Sequence, residues 1–488
     1  MSTLRRAAYN TIVLYLGKVA GILISAATLA FTTRYLGVSL FGDYSTVLSI
    51  SAILVSLTEL GLNWIVSREL AQGNTGILNS LTNFKLLLTA SCMGLAALVL
   101  PFIGYNSNIE KGVWLAALYI FFGSINNLQI AVLQGTSNLD KTAYTDIASR
   151  LVNLVLIIIV VKGGLGYFWA VAALNGAGIT TLLLNNYFIR KLKLPSYRFD
   201  LSGLGAYRKE LLEMAILSAV TFLVYKTDIL ILARLKSSTD VGIYGAAYRI
   251  LDVAMTVPSI LIGALYPVLS SLYLRRTEKE SVSVFQSAFL AVILIGCLTT
   301  ALGILTAPVT LRVLAGTSFV TASTVSWFGH PVTSILILQV LSVFLLFSFV
   351  SSYANALLII AKKQRLCLWI NAFGLVFNIA GNILFIPAHS YLACALLTVI
   401  TQVVITIPLM WGLYVERVSM VGLIDLVRVL GVTVIAGLLS SFVYSASPLG
   451  AAALFVVMWM ILLYAAGGRP KQLAGQLLAR KQGSLLKA

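Results

Sequence analysis

The chain has 488 residues, of which 59% are hydrophobic and 10% charged, and its mean hydropathy of +0.96 excludes a water-soluble protein of this length. Its net charge of +18 is spread over short breaks between apolar runs, so it reads as membrane topology and gives no case for nucleic acid. Those runs of roughly 20 residues are the length that crosses a hydrocarbon core as helix, which makes the expected fold class an all-α membrane protein.

Fourteen spans are predicted, near residues 10–33, 43–64, 84–104, 112–134, 146–161, 167–189, 211–233, 243–266, 284–307, 334–359, 366–386, 391–413, 427–447 and 450–467. Arg5 and Arg6 precede the first run as in a signal peptide, but the run is too long for one and holds Lys18, so it is expected to stay. Along that span Lys18, Gly21, Ser25, Thr28 and Thr32 step by three or four residues and draw one polar stripe on a helix. In the second span Ser45, Ser49, Ala52, Ser56 and Glu59 share a face in the same way. Asn126 and Asn127 add amides to the fourth span, and Asn371, Gly374, Asn378 and Asn382 form a stripe on the eleventh. Pro258 removes a backbone donor inside the eighth span and marks a candidate hinge.

The segment RYLGVSLFGDY at 34–44 returns as RLKSSTDVGIY at 234–244. Adding 200 to the first stripe gives Ser218, Thr221, Tyr225, Asp228 and Leu232, and adding it to the second gives Gly245, Arg249, Asp252, Thr256 and Ser259. The offset covers six helices and a long inner connection, an even number of crossings, so the repeat is parallel. VLQGTSNLDK at 132–141 and LLIIAKKQR at 357–365 are a looser echo. Two six-helix lobes around a central cleft are therefore expected: an N-lobe at 1–189, a cytoplasmic linker at 190–210, a C-lobe at 211–413, and two further spans with a basic cytoplasmic tail at 414–488.

With the N-terminus inside, inner segments hold 25 of the 34 Lys and Arg and outer loops six, leaving Lys18, Lys226 and Arg249 within spans. This asymmetry places both termini in the cytoplasm. A charge inside lipid survives by pairing or by facing water, so Lys18, Glu59, Lys226, Asp228, Arg249 and Asp252 are the informative positions. Arg249 and Asp252, three apart, can satisfy each other, and Lys18 can reach toward the inner surface. Small residues and amides at helical spacing also serve plain helix packing. Cys92, Cys297, Cys367 and Cys394 lack any CxxC spacing, and His330 and His389 have no ligand cluster around them, so neither a disulfide framework nor a metal site is suggested. No Walker motif is present, and no cofactor or catalytic residue is implied.

Four stretches carry a family resemblance: TRYLGVSLFGDYS at 33–45, TELGLNWIVSREL at 58–70, STDVGIYGAAYRI at 238–250 and NIAGNILFIP at 378–387. In their order, spacing and span count the chain resembles the polysaccharide flippases of the multidrug, oligosaccharidyl-lipid and polysaccharide exporter superfamily. The resemblance implies a multi-pass protein of a prokaryotic plasma membrane. Such a protein moves an undecaprenyl-diphosphate-linked oligosaccharide from the inner to the outer leaflet by alternating access, during O-antigen or exopolysaccharide synthesis. Its partners would be that lipid-linked substrate, the bilayer, and the polysaccharide polymerase and chain-length machinery, with the transporter itself a monomer. By analogy Lys18, Lys226 and Arg249 would hold the diphosphate, while Ser25, Thr28, Tyr225 and Asn378 would face sugar. Glu59, Asp228 and Asp252 stand among those cations. A lipid II flippase and a multidrug or cation antiporter are the nearest alternatives. A membrane O-antigen polymerase or ligase is remote, because the longest outer stretch, 306–334, offers only Arg312 and His330 as titratable groups.

Overall fold

The computed structural model describes residues 3–59, 61–192, 198–275 and 278–467. The basic tail from 468 onward, the middle of the 190–210 connection, and the side chains of residues 1–16 and Thr221 lie outside the described residues. Helix dominates, as it must where lipid offers no partner to a free backbone amide. In chain order the helices are α1 (Thr3–Leu57), α2 (Leu62–Ala71), α3 (Leu78–Ile103), α4 (Ser107–Leu115), α5 (Ala117–Gly135), α6 (Leu139–Gly163), α7 (Tyr167–Arg190) and α8 (Arg208–Leu235). They continue as α9 (Ser238–Ala254), α10 (Thr256–Leu272), α11 (Lys279–Leu314), α12 (Thr317–Thr321), α13 (Ser334–Ile360), α14 (Gln364–Val415), α15 (Leu423–Tyr444) and α16 (Pro448–Ala466). A two-residue antiparallel pair, Ser326–Trp327 with His330–Pro331, is the exception to helix among the described residues.

Among the described residues, eleven helical segments are long and apolar enough to cross a membrane, or twelve with the pair Met214–Val220 and Phe222–Leu235, bent by 41°, taken as one span. Two segments exceed a single pass. Gly17–Leu57 runs 41 residues and Gln364–Val415 runs 52, whereas about 20 residues cover a hydrocarbon core. Each is interrupted at one non-helical residue, Gly37 (φ 67°, ψ −177°) and Ser390 (φ 48°, ψ −133°). The α9–α10 boundary at Met255 lies three residues before Pro258, so the break expected from that proline falls at the start of its own turn. Large apolar side chains such as Phe102, Phe442 and Leu384 stand exposed, as a surface bathed in acyl chains permits.

The chain divides into two compact units. Unit one comprises Met1–Gly245 with Val313–Thr324 and Asn382–Tyr391; unit two comprises Ala246–Arg312, Val325–Gly381 and Leu392–Ala488. Unit one has a core where α2, α3, α5 and α8 bury Leu62, Ile65, Leu81, Val132 and Leu211. In unit two, α15 and α16 close against Leu305 of α11 through Val432, Ala436, Ala452, Phe455 and Trp459, which seats the final hairpin.

Within unit one the two copies of the repeated segment dock on each other. A Cβ on Gly42 would stand 1.9 Å from the Ser238 carbonyl oxygen, and one on Gly242 would stand 1.9 Å from the Val38 carbonyl oxygen. Those pairs are interchanged by the offset of 200. Ser45 meets its own image, its hydroxyl 2.9 Å from where a Gly245 Cβ would be. Reciprocal and self-paired contacts of this kind define a local two-fold relation between the segments. Asp43, almost fully buried, ties them further: Oδ1 accepts from Ser238 Oγ at 2.6 Å and from Asn106 Nδ2 at 2.7 Å, and Oδ2 accepts from Asn108 Nδ2 at 3.1 Å.

Candidate functional site

Three helices of unit one turn polar faces toward one point. On α6, Asp146, Ser149, Arg150 and Asn153 recur at three and four residues and so share a side. On α5, Tyr119, Gly123, Asn126 and Asn127 do the same, and on α1 Ser25 and Ser56 come from opposite arms of the Gly37 break. With Glu59 beyond the end of α1, Thr181 of α7 and Phe222 of α8 they line a cavity of about 520 Å³.

The charges on this wall are engaged. Arg150 Nε lies 3.0 and 2.9 Å from the two Asp146 oxygens, and its Nη1 donates to Ser25 Oγ. Close packing underlies that geometry, since a Cβ on Gly21 would be 3.0 Å from Arg150 Nε. Glu59 accepts a hydrogen bond from the Asn127 amide. Behind it Lys85 of α3 is fully buried, its Nζ makes no hydrogen bond, and it interacts electrostatically with Glu59. An uncompensated buried ammonium costs several kcal/mol, so the Glu59 carboxylate is what makes Lys85 tolerable.

Of the residues singled out from sequence, Ser25, Ala52, Ser56, Glu59, Asn126 and Asn127 line this cavity. Lys18 is exposed, and Thr28, partly buried, spends its hydroxyl on the Ile24 carbonyl at 2.9 Å. Tyr225 and Lys226 are partly buried on α8, and Asp228 is buried, accepting from the Tyr244 hydroxyl and from the Ile229 amide at 2.7 Å. Arg249 pairs with Asp252 at 3.6 Å on α9, as their spacing allows, and buried Asn378 donates to Thr401 Oγ1 at 3.2 Å. Those last three belong to unit two. Lys85 and Arg150 lie inside α3 and α6, as they do inside the predicted spans 84–104 and 146–161, and not in the connecting segments. The polar face of α6 is not among the stripes named from sequence, although Asp146 and Arg150 at i, i+4 with Ser149 and Asn153 between and beyond them form a readable one.

The model of a family described as polysaccharide biosynthesis protein matches residues 7–273, more than half of the chain and all of the cavity wall. The chain belongs to this polysaccharide biosynthesis family. Solved structures share its fold. A lipid II flippase MurJ in an inward closed conformation, 13% identical, superposes with a TM-score of 0.72 over 94% of this chain and 98% of that one. An inward-facing multidrug resistance MATE transporter of the MOP superfamily, 16% identical, gives 0.64 over 83% and 98%. A MOP superfamily transporter from Pyrococcus furiosus, described as having a binding pocket of reversed polarity, gives 0.55 at 16% identity over 84% and 96%. Comparison with curated protein sequences returns no match. The polysaccharide family member is thus an all-α membrane protein of the MurJ and MATE fold.

Proposed function

We propose that this polysaccharide biosynthesis protein is a flippase that carries the head of an undecaprenyl-diphosphate-linked oligosaccharide from the inner to the outer leaflet, for O-antigen or exopolysaccharide assembly. The observation that carries this reading is a polar, charge-lined cavity among membrane helices in a chain of that family. Sugar and diphosphate cannot enter hydrocarbon without losing their hydration, whereas a polyprenyl tail remains in lipid while the head passes through protein. Fourteen passes, two lobes joined near residues 190–210, and alternating exposure of the path to the two sides complete the reading. It places the protein in the inner membrane of a prokaryote with both termini cytoplasmic, handing cargo to a polymerase without itself catalysing a covalent step. Lys18, Lys226 and Arg249 are retained as candidate diphosphate contacts.

Reconstitution tests this directly. Purified protein in liposomes, given a fluorescent lipid-linked oligosaccharide in one leaflet, should move it to the other faster than protein-free vesicles do, with lipid II as the competing cargo. Label that stays on its starting leaflet in the presence of folded protein would sink the proposal.

A further inference from the structure

In the cavity of unit one, two buried amide oxygens accept no hydrogen bond. Asn126 gives its amide nitrogen to the Gly178 carbonyl at 3.2 Å, which fixes how the amide is turned and leaves its buried Oδ1 accepting no hydrogen bond. Asn153 Oδ1, on the same wall, is also buried and accepts none. The cations are spent, Arg150 on Asp146 and Ser25, and Lys85 on Glu59. Two carboxylates and two cations leave no net charge.

A diphosphate brings only acceptors and negative charge. It would meet Glu59 and Asp146 and leave both amide oxygens unpaired, at the cost that attaches to any buried polar group without a partner. Sugar hydroxyls and acetamido N–H groups supply donors as well as acceptors, and a neutral ring matches a neutral wall. Tyr119 and Phe222 on the same lining offer aromatic surface to the C–H face of a pyranose. A volume of about 520 Å³ lies within the range of small-molecule pockets. We propose that this cavity is a glycan subsite, taking an uncharged sugar residue of the lipid-linked oligosaccharide through Asn126 and Asn153, with the diphosphate held elsewhere. The proposal rests on the flippase reading and assigns which part of that cargo the unit-one cavity selects.

The probe is the lipid-linked oligosaccharide that accumulates in cells lacking this protein. Mild acid frees its glycan, and plain undecaprenyl diphosphate is the sugar-free arm. Binding of each is measured on the full chain in detergent. Asn126→Leu should weaken the free glycan and the intact lipid-linked species about tenfold, the worth of one good hydrogen bond, and leave undecaprenyl diphosphate within twofold of wild type. Asn153→Leu should do the same and stands in if Asn126→Leu does not yield a monodisperse protein. Equal weakening of all three species, selective loss of undecaprenyl diphosphate, or unchanged glycan binding in both variants would overturn the subsite while leaving the flippase reading intact. Absence of any accumulated lipid-linked glycan, or a wild-type chain that binds none of the species, would bring down both.

Discussion

At the scale of single residues, magnitudes separate two charged pairs that look alike. Asp146 and Arg150 have side chains 43% and 40% exposed, so their pairing contributes under about 1 kcal/mol despite good geometry. Arg150→Met is therefore expected to melt close to wild type while surface glycan falls, and a thermal-stability assay beside a glycan blot checks both halves. Lys85 is the opposite case, with no exposure and Glu59 as its counter-charge. Lys85→Met alone should cost about 3–5 kcal/mol by stranding a carboxylate, and adding Glu59→Gln should recover most of it. A double variant no more stable than the single would show that the two do not depend on each other. Lys85 and Arg150 both fall inside spans predicted from hydropathy, 84–104 and 146–161, but near polar openings, since α3 opens with Asn79, Ser80, Thr82 and Asn83 and α6 opens with Asp140, Lys141 and Thr142. A polar first turn hides the start of a helix from a hydropathy window even when the helix runs on without a break. Glu59 was legible because it ends an apolar stripe as its sole charge.

At the scale of elements, two joints are held by different chemistry. The repeated segments touch backbone to backbone, and only glycine leaves room at positions 42 and 242. Gly42→Val must displace the Ser238 carbonyl, a backbone atom, and should lower stability by about 1–3 kcal/mol or more, with Gly242→Val matching it by symmetry. Unequal costs would mean the local two-fold is not respected in solution. The other joint is the connection between α7 and α8. Ser80 Oγ donates to Asp200 Oδ2 at 3.1 Å, and Asn83 Nδ2 donates to the carbonyls of Arg198 at 2.9 Å and Asp200 at 3.1 Å. The Ser202 amide, followed by its hydroxyl and by Ser80, holds the Asp200 carboxyl below the ordinary aspartate value of 3.8. A depressed carboxylate stabilises above its unfolded value and loses that contribution as pH falls through the folded one. Protease resistance of this connection should therefore persist at neutral pH and weaken only below about pH 3.8, and Asp200→Asn should weaken it at neutral pH and remove the pH dependence. Cleavage that is independent of both would remove the clasp.

At the scale of the whole molecule, the helical membrane class and the repeat followed from apolar run length and from an offset of 200, since both are one-dimensional properties. The cavity did not follow in the same way. It draws on α1, α5, α6, α7 and α8, and only packing decides which faces of those helices converge. The repeat also explains itself in three dimensions: segments 38–45 and 238–245 are alike because each is the other's docking surface. If unit one carries cargo by alternating exposure, these segments either part during the cycle or serve as its fixed pivot, and a cross-link separates the two cases. Ser45 and Gly245 face each other closely enough that cysteines at both positions should form a disulfide after modest adjustment of the backbone. Cys92, Cys297, Cys367 and Cys394 are first replaced so that the engineered pair alone reacts. We expect oxidation of Ser45→Cys with Gly245→Cys to stop movement of the lipid-linked oligosaccharide in liposomes and reductant to restore it, because the segments are held by short hydrogen bonds and small-residue contacts that can re-form. Full transport by the cross-linked protein would make the paired segments the pivot.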